Sequence, residues 1–308
     1  MNVPLVLVAL GCQALLRYPE PATRSRLNLD WFGALAFGAM LAFVTLSLNS
    51  LGGAGGLPAL AAGVSGFAVM GAVFFQSQRS SARPIVEWRL FGNRTFLAAT
   101  GYVLLSNLVM YTTLFSIPFF VEEVQGKGSA TTGTLLGSMS VLVAFVAPAG
   151  GRLSDSHGRR LPAMAGSVVA LVAMIALLAG LSADVSYWYL AVVLASLGLG
   201  LGLSIGPSNT AAIESAPREL AGTASGTNSM MRYLGSIVGA GLLGAVLSSE
   251  GGGPEVGLFR LIFVVLVAMA ALACVTTLFI HRFPSTYEEP EPAAAAELPA
   301  ASPATPGS

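Results

Sequence analysis

Eight stretches of this chain are apolar for about the thickness of a bilayer, and short polar breaks separate them. They occupy residues 29–48, 57–75, 96–120, 131–149, 161–181, 187–213, 221–247 and 258–280. A helix needs ~20 apolar residues, rising ~1.5 Å each, to cross a hydrocarbon layer ~30 Å thick. The runs are continuously apolar rather than alternating, which selects helices over the strands of an outer-membrane barrel. Composition agrees, since 54% of the chain is hydrophobic and 10% charged, where soluble proteins carry roughly a quarter charged residues. A soluble enzyme is excluded. Fifteen basic residues balance fifteen acidic ones, so no net field recruits a polyanion, and nucleic acid is excluded as a partner. The predicted fold class is all-α, a polytopic membrane helical bundle.

Charge in the breaks sets an orientation. One side carries Arg17, Arg24, Arg26, Arg79, Arg83, Arg89, Arg94, Arg152, Arg159, Arg160, Arg218 and Arg282, and the other carries Lys127 and Arg260. Twelve against two predicts that the first side faces the cytoplasm. The C-terminus then lies inside. A ninth apolar stretch, residues 3–16, covers only about 21 Å and reads as part of a helix entered from outside. It lacks the basic start and small-residue cleavage site of a signal peptide. Residues 284–308 hold six prolines and four acids with no basic residue, a composition expected to stay disordered. Fourteen arginines against one lysine hint at a bacterial source, and the expected location is the bacterial cytoplasmic membrane.

Few residues offer chemistry. Cys12 and Cys274 lie in apolar runs, and His157 and His281 are far apart, so no metal site, cofactor site or disulfide framework is expected. No catalytic residues are expected, because the spans hold no carboxylate pair and no nucleophile–base pair. Ionisable groups inside a span are costly and usually functional. Glu122, Glu123 and Glu214 sit at span ends, within reach of water. The exception is Arg232, eleven residues into its span, or about 16 Å. Two readings of it stand: it faces an anionic substrate or lipid, or it snorkels to the inner surface. Thr223, Ser225, Thr227, Asn228 and Ser229 precede it and suggest a hydrated vestibule. Asn107, Tyr111, Thr112 and Thr113 form a polar patch in another span, suited to an amphiphilic ligand or to hydrogen bonds between helices. Gly198, Gly202 and Gly206 share one helix face, and Gly235 and Gly239 repeat the spacing. That pattern suits close helix packing or a sliding surface. Pro207, Ser208, Asn209 and Thr210 mark an expected kink whose freed carbonyls line a cavity. Ile85, Trp88 and Phe91 are spaced to lay the connector on the membrane surface.

The densest signal is Gly151-Arg152-Leu153-Ser154-Asp155-Ser156-His157-Gly158-Arg159-Arg160, placed in a short loop between two spans. Its glycines permit a tight reversal, Asp155 can accept from helix-start N–H groups, and the arginines can meet phosphates or a carboxylate. An ordinary positive loop needs arginines but not this spacing, which resembles the loop signature of the major facilitator superfamily. Three further stretches resemble its fourteen-helix drug:proton antiporter branch, the EmrB/QacA type. They are Asn2-Val3-Pro4-Leu5 with Leu29-Asp30-Trp31-Phe32-Gly33, Arg83-Pro84-Ile85 with Arg89 through Phe96, and Ala221 through Gly226 with Arg232-Tyr233-Leu234-Gly235.

That resemblance implies a C-terminal portion of such a transporter. Residues 1–18 become a truncated helix, 27–78 two central linker helices, 79–95 a cytoplasmic amphipathic connector, 96–283 the six-helix C-terminal half, and 284–308 the tail. The N-terminal half, with the family's proton-carrying carboxylate, has no counterpart. The implied function is export of small amphiphiles by proton antiport and alternating access, with membrane lipid as surroundings. Gly151, Arg152, Asp155, Gly158, Arg159 and Arg160 become the gating loop, with Asp155 capping a helix of the other half. Asn107, Tyr111, Thr112, Asn209, Asn228 and Arg232 become the substrate-cavity candidates. A second reading is a non-transporting half, or a membrane subunit that needs a partner chain.

Overall fold

The structure is a computed structural model that describes residues 11, 31–51, 56–80, 86–247 and 256–281. The segment 1–18 (apart from Gly11), the arginines at 17, 24, 26, 83 and 282, Ile85 and the tail 284–308 lie outside the described residues. Among those described, all regular secondary structure is helical. The helices are α1 (Trp31–Leu51), α2 (Gly56–Ser80), the single turn α3 (Trp88–Phe91), α4 (Arg94–Phe119), α5 (Ser129–His157), α6 (Arg160–Ala179), α7 (Tyr187–Glu214), α8 (Ala221–Leu247) and α9 (Val256–Thr277). Six of them, α2, α4, α5, α6, α7 and α9, are long and apolar enough to cross a membrane. Helix α1 is apolar over Trp31–Ser47. Helix α8 has the length, but its polar first half and Arg232 dilute its apolar character.

Packing follows from small residues, because lipid offers apolar side chains no incentive to leave it. Helix α4 is the centre, touching α7, α8 and α9, while α5 and α6 flank α7. A Cβ on Gly198 would lie 2.3 Å from the Met139 carbonyl oxygen of α5, and one on Gly202 would lie 2.9 Å from that of Val143. Gly235 and Gly239 press in the same way on Leu104 and Leu108 of α4. Gly206, third in the spacing, meets nothing within 4 Å, so close packing accounts for two of the three positions. The sequence reading missed Gly166 and Gly200, which bring α6 and α7 together with Gly200 oxygen 2.5 Å from a Cβ at Gly166. Helices α1 and α2 pair with each other and reach the bundle through α8, where Met230 packs on Ala36, Phe74 and Val86.

One local expectation changes, and two other stretches pack in ways the sequence did not show. The stretch Gly151 to His157 is the last two turns of α5, and the reversal rests on Gly158 alone at φ +86°, which favours glycine. Nothing between Ala149 and His157 breaks a helix, so it runs on until a residue can turn left-handed. The assigned helix α7 continues through Pro207. Pro207 has no N–H for the Leu203 carbonyl, but that oxygen lies 2.7 Å from where Gly150 would carry a Cβ. The freed group thus abuts α5. The connector docks on the bundle as well: Leu90 is buried with Phe96, Ala211, Ala212 and Ala216, and Asn93 Nδ2 donates to Ser215 oxygen at 2.8 Å. Trp88 stays half-exposed, edge-on to Phe75 at 4.9 Å between centroids.

Candidate functional site

Alternation of the helices gathers Arg94, Arg152, Arg159, Arg160 and Arg218 at one end of the bundle. There Arg159, on the turn between α5 and α6, reaches the last residue of α7. Its Nε donates to Glu214 Oε2 at 2.9 Å and its Nη2 to Oε1 at 2.7 Å. The same guanidinium donates through Nη1 to Asp155 Oδ1 at 2.6 Å and to Ser154 Oγ at 3.0 Å. Parallel bonds from one guanidinium to one carboxylate fix geometry as well as charge. The hydrogen bonds to Glu214, foremost, and then those to Asp155 push the Arg159 pKa above its already high ordinary value, against the opposing effect of burial. Its charge is constant at any pH a cell meets. The three side chains tie the C-terminal ends of α5 and α7 to the start of α6.

Among the described residues Asp155 meets the Arg159 guanidinium, and its side chain is 74% exposed. Glu214, read from sequence as an acid that water can reach, is the principal anchor of Arg159. Its position at a helix end gave no sign of a partner 55 residues away.

A second polar group lies deeper. Asn228 Nδ2 of α8 donates to Asn209 Oδ1 of α7 at 2.7 Å, and Arg232 Nη2 reaches the same oxygen at 3.5 Å. Arg232 forms no ion pair among the described residues. Asn228 is 2% exposed, and its Oδ1 has no hydrogen-bond partner there. Arg232 is two positions beyond Met230, hence about 200° around the axis, on the side of α8 away from α1 and α2.

The remaining cavity candidates are not joined to this group. Asn107 is buried and donates to Val103 oxygen at 2.8 Å. Thr112 donates to Leu108 oxygen and approaches Gly239 oxygen of α8 at 3.0 Å, an interhelical contact. Tyr111 is half-buried beside Phe115, 6.3 Å between ring centroids. Sequence reading also passed over the buried pair Tyr102–Ser204, whose hydroxyls bond across α4 and α7. A small cavity beside it is lined by Ser106, Ser167 and Leu201.

Faces of α5 and α8 stay open in the described residues. Gly133 and Gly137 of α5 and Gly222 and Gly226 of α8 have nothing within 4 Å of a Cβ, and Phe145 is 78% exposed.

A bundle of apolar helices joined by short turns, with polar groups held between them, defines a multi-pass membrane protein. The profile of the Major Facilitator Superfamily matches residues 20–240. The chain belongs to that superfamily. It is 28% identical over 250 residues to the Uncharacterized MFS-type transporter YvkA of Bacillus subtilis, covering 80% of this chain and 54% of the relative. It is 31% identical over 181 residues to the Multidrug resistance protein Stp of Mycobacterium tuberculosis, covering 58% and 33%. It is 29% identical over 175 residues to the Quinolone resistance protein NorB of Staphylococcus aureus, covering 56% and 38%. The chain spans between a third and little more than half the length of these relatives.

Proposed function

We propose that this chain is the C-terminal portion of a drug-efflux transporter of the fourteen-helix branch, exporting small amphiphiles by proton antiport and alternating access. The observation that carries this reading is the Asp155–Arg159–Glu214 clamp, which ties three helix ends together where a gate between the two halves of a transporter would move. Relatives named for multidrug and quinolone resistance support the substrate class. In this reading Gly151, Arg152, Asp155, Gly158, Arg159 and Arg160 work the gate. Asn107, Tyr111, Thr112, Asn209, Asn228 and Arg232 border the substrate path, with Thr112 and Asn107 setting helix positions beside it. The arginine-rich end and the C-terminus face the cytoplasm of a bacterium. The open faces of α5 and α8 meet the N-terminal half, supplied by adjoining sequence or a second chain, and that half supplies the proton carrier.

The test is transport by protein purified from its native membrane and reconstituted in vesicles. A fluorescent cationic amphiphile should move against its gradient when a proton gradient is imposed, and a protonophore should stop it. Movement that ignores the proton gradient contradicts the coupling, and no movement contradicts efflux.

A further inference from the structure

Between α7 and α8 the bundle holds a permanent cation that forms no ion pair among the described residues. Arg232 has five N–H donors, and its hydrogen bond at this site is the 3.5 Å approach to Asn209. An unpaired charge inside a span is expensive, so such a group is retained where a partner arrives. The partner's chemistry is narrowed by Asn228. Its Nδ2 is committed to Asn209 while its Oδ1, buried, lacks a donor. An unmet buried acceptor is costly in its own right. A carboxylate from another part of the transporter would satisfy Arg232 and leave Asn228 unmet. A ligand with an acid group and an N–H satisfies both.

We propose that Asn209, Asn228 and Arg232 form a head-group pocket for amphiphiles that carry both a carboxylate and an N–H donor. This rests on the reading that the α7–α8 face borders the substrate path. The carboxylate pairs with the Arg232 guanidinium, which suits bidentate acceptance. The N–H meets Asn228 Oδ1, and Asn209 holds the two donors in register. Ser225 and Ser229, at least partly exposed and on the Arg232 face of the same helix, give the head group an approach from the arginine-rich end.

Two dyes of one skeleton separate this proposal from the efflux reading: an N-ethylrhodamine with a free carboxylate, and its ethyl ester. Binding to purified protein is read by fluorescence anisotropy, and export by reconstituted vesicles. The wild type should bind the acid more tightly than the ester. Arg232→Gln should lower the acid-to-ester affinity ratio about tenfold, a factor expected of one lost charge-assisted contact. Arg232→Lys, which keeps the charge but loses the fork, should fall between. Asn228→Leu should weaken the acid and the ester alike, because both carry the N–H. Equal affinity of the wild type for the two dyes overturns the pocket, as does an equal loss of both in Arg232→Gln. Binding that discriminates without any export overturns the efflux reading and leaves the pocket standing.

Discussion

Arg159 and Glu214 face each other as a fork on a carboxylate, with bonds of 2.9 and 2.7 Å joining the α5–α6 turn to the end of α7. The side chains are 15% and 32% exposed, so water screens this pair less than it screens Asp155. A surface ion pair contributes ~0.2–1 kcal/mol, and the fork geometry puts this one toward the upper end, roughly 1 kcal/mol. A contribution of that size shifts any equilibrium that makes or breaks the pair by about fivefold.

Asp155 is mostly exposed and shares the guanidinium with Glu214. Asp155→Asn should therefore leave the protein inserted and folded while slowing transport severalfold. Initial export rates, normalised to protein in the membrane fraction, check this, and unchanged rates would remove Asp155 from the gate.

Gly198 and Gly206 lie two turns apart on one face of α7, yet only Gly198 abuts a neighbouring backbone. Gly198→Ala must push α5 away and should cost about 1–3 kcal/mol. Gly206→Ala should be neutral or slightly stabilising, because alanine is the better helix former. Thermal unfolding in detergent should show a lowered midpoint for the first only, and matched midpoints would contradict the packing described.

Tyr102 and Ser204 test a buried hydroxyl pair. Tyr102→Phe leaves Ser204 bonded to the Gly200 carbonyl at 2.7 Å, so it should cost about 1 kcal/mol. Ser204→Ala strands the buried Tyr102 hydroxyl and should cost more, about 1–3 kcal/mol. The reverse order in a chemical or thermal melt would mean that the pair does not hold α4 to α7.

Membrane orientation is checked with single cysteines. In a background with Cys12 and Cys274 replaced by serine, Lys127→Cys should react in intact cells with a reagent that cannot cross the membrane. Arg152→Cys should react only after the cells are opened. The opposite pattern would invert the assigned topology.

The helices were legible in the sequence because lipid demands unbroken apolar runs, and that demand is written residue by residue. Arg232, Asn209 and Asn228 were legible as polar exceptions to those runs, though not as neighbours. The partner of Arg159 was not legible. Glu214 differs in no local way from Glu122 or Glu123, and only the turn at Gly158 and the length of α7 bring it to the guanidinium. Gly166 and Gly200 were missed for a related reason, since a helix crossing uses glycines from two helices and a spacing rule sees one. The contact of the freed Leu203 carbonyl with α5 was not legible either, because it depends on Gly150 of another helix.

The central claim is that Arg159 and Glu214 act as one clamp in the transport cycle. A double-mutant cycle on export rate tests it most directly, with Arg159→Gln, Glu214→Gln and the pair together in reconstituted vesicles. The clamp predicts that the double variant is no slower than the slower single, a coupling of about 1 kcal/mol or more between the two sites. Rate losses that simply multiply would show that the two residues act independently, and the clamp would then be a static contact with no part in gating.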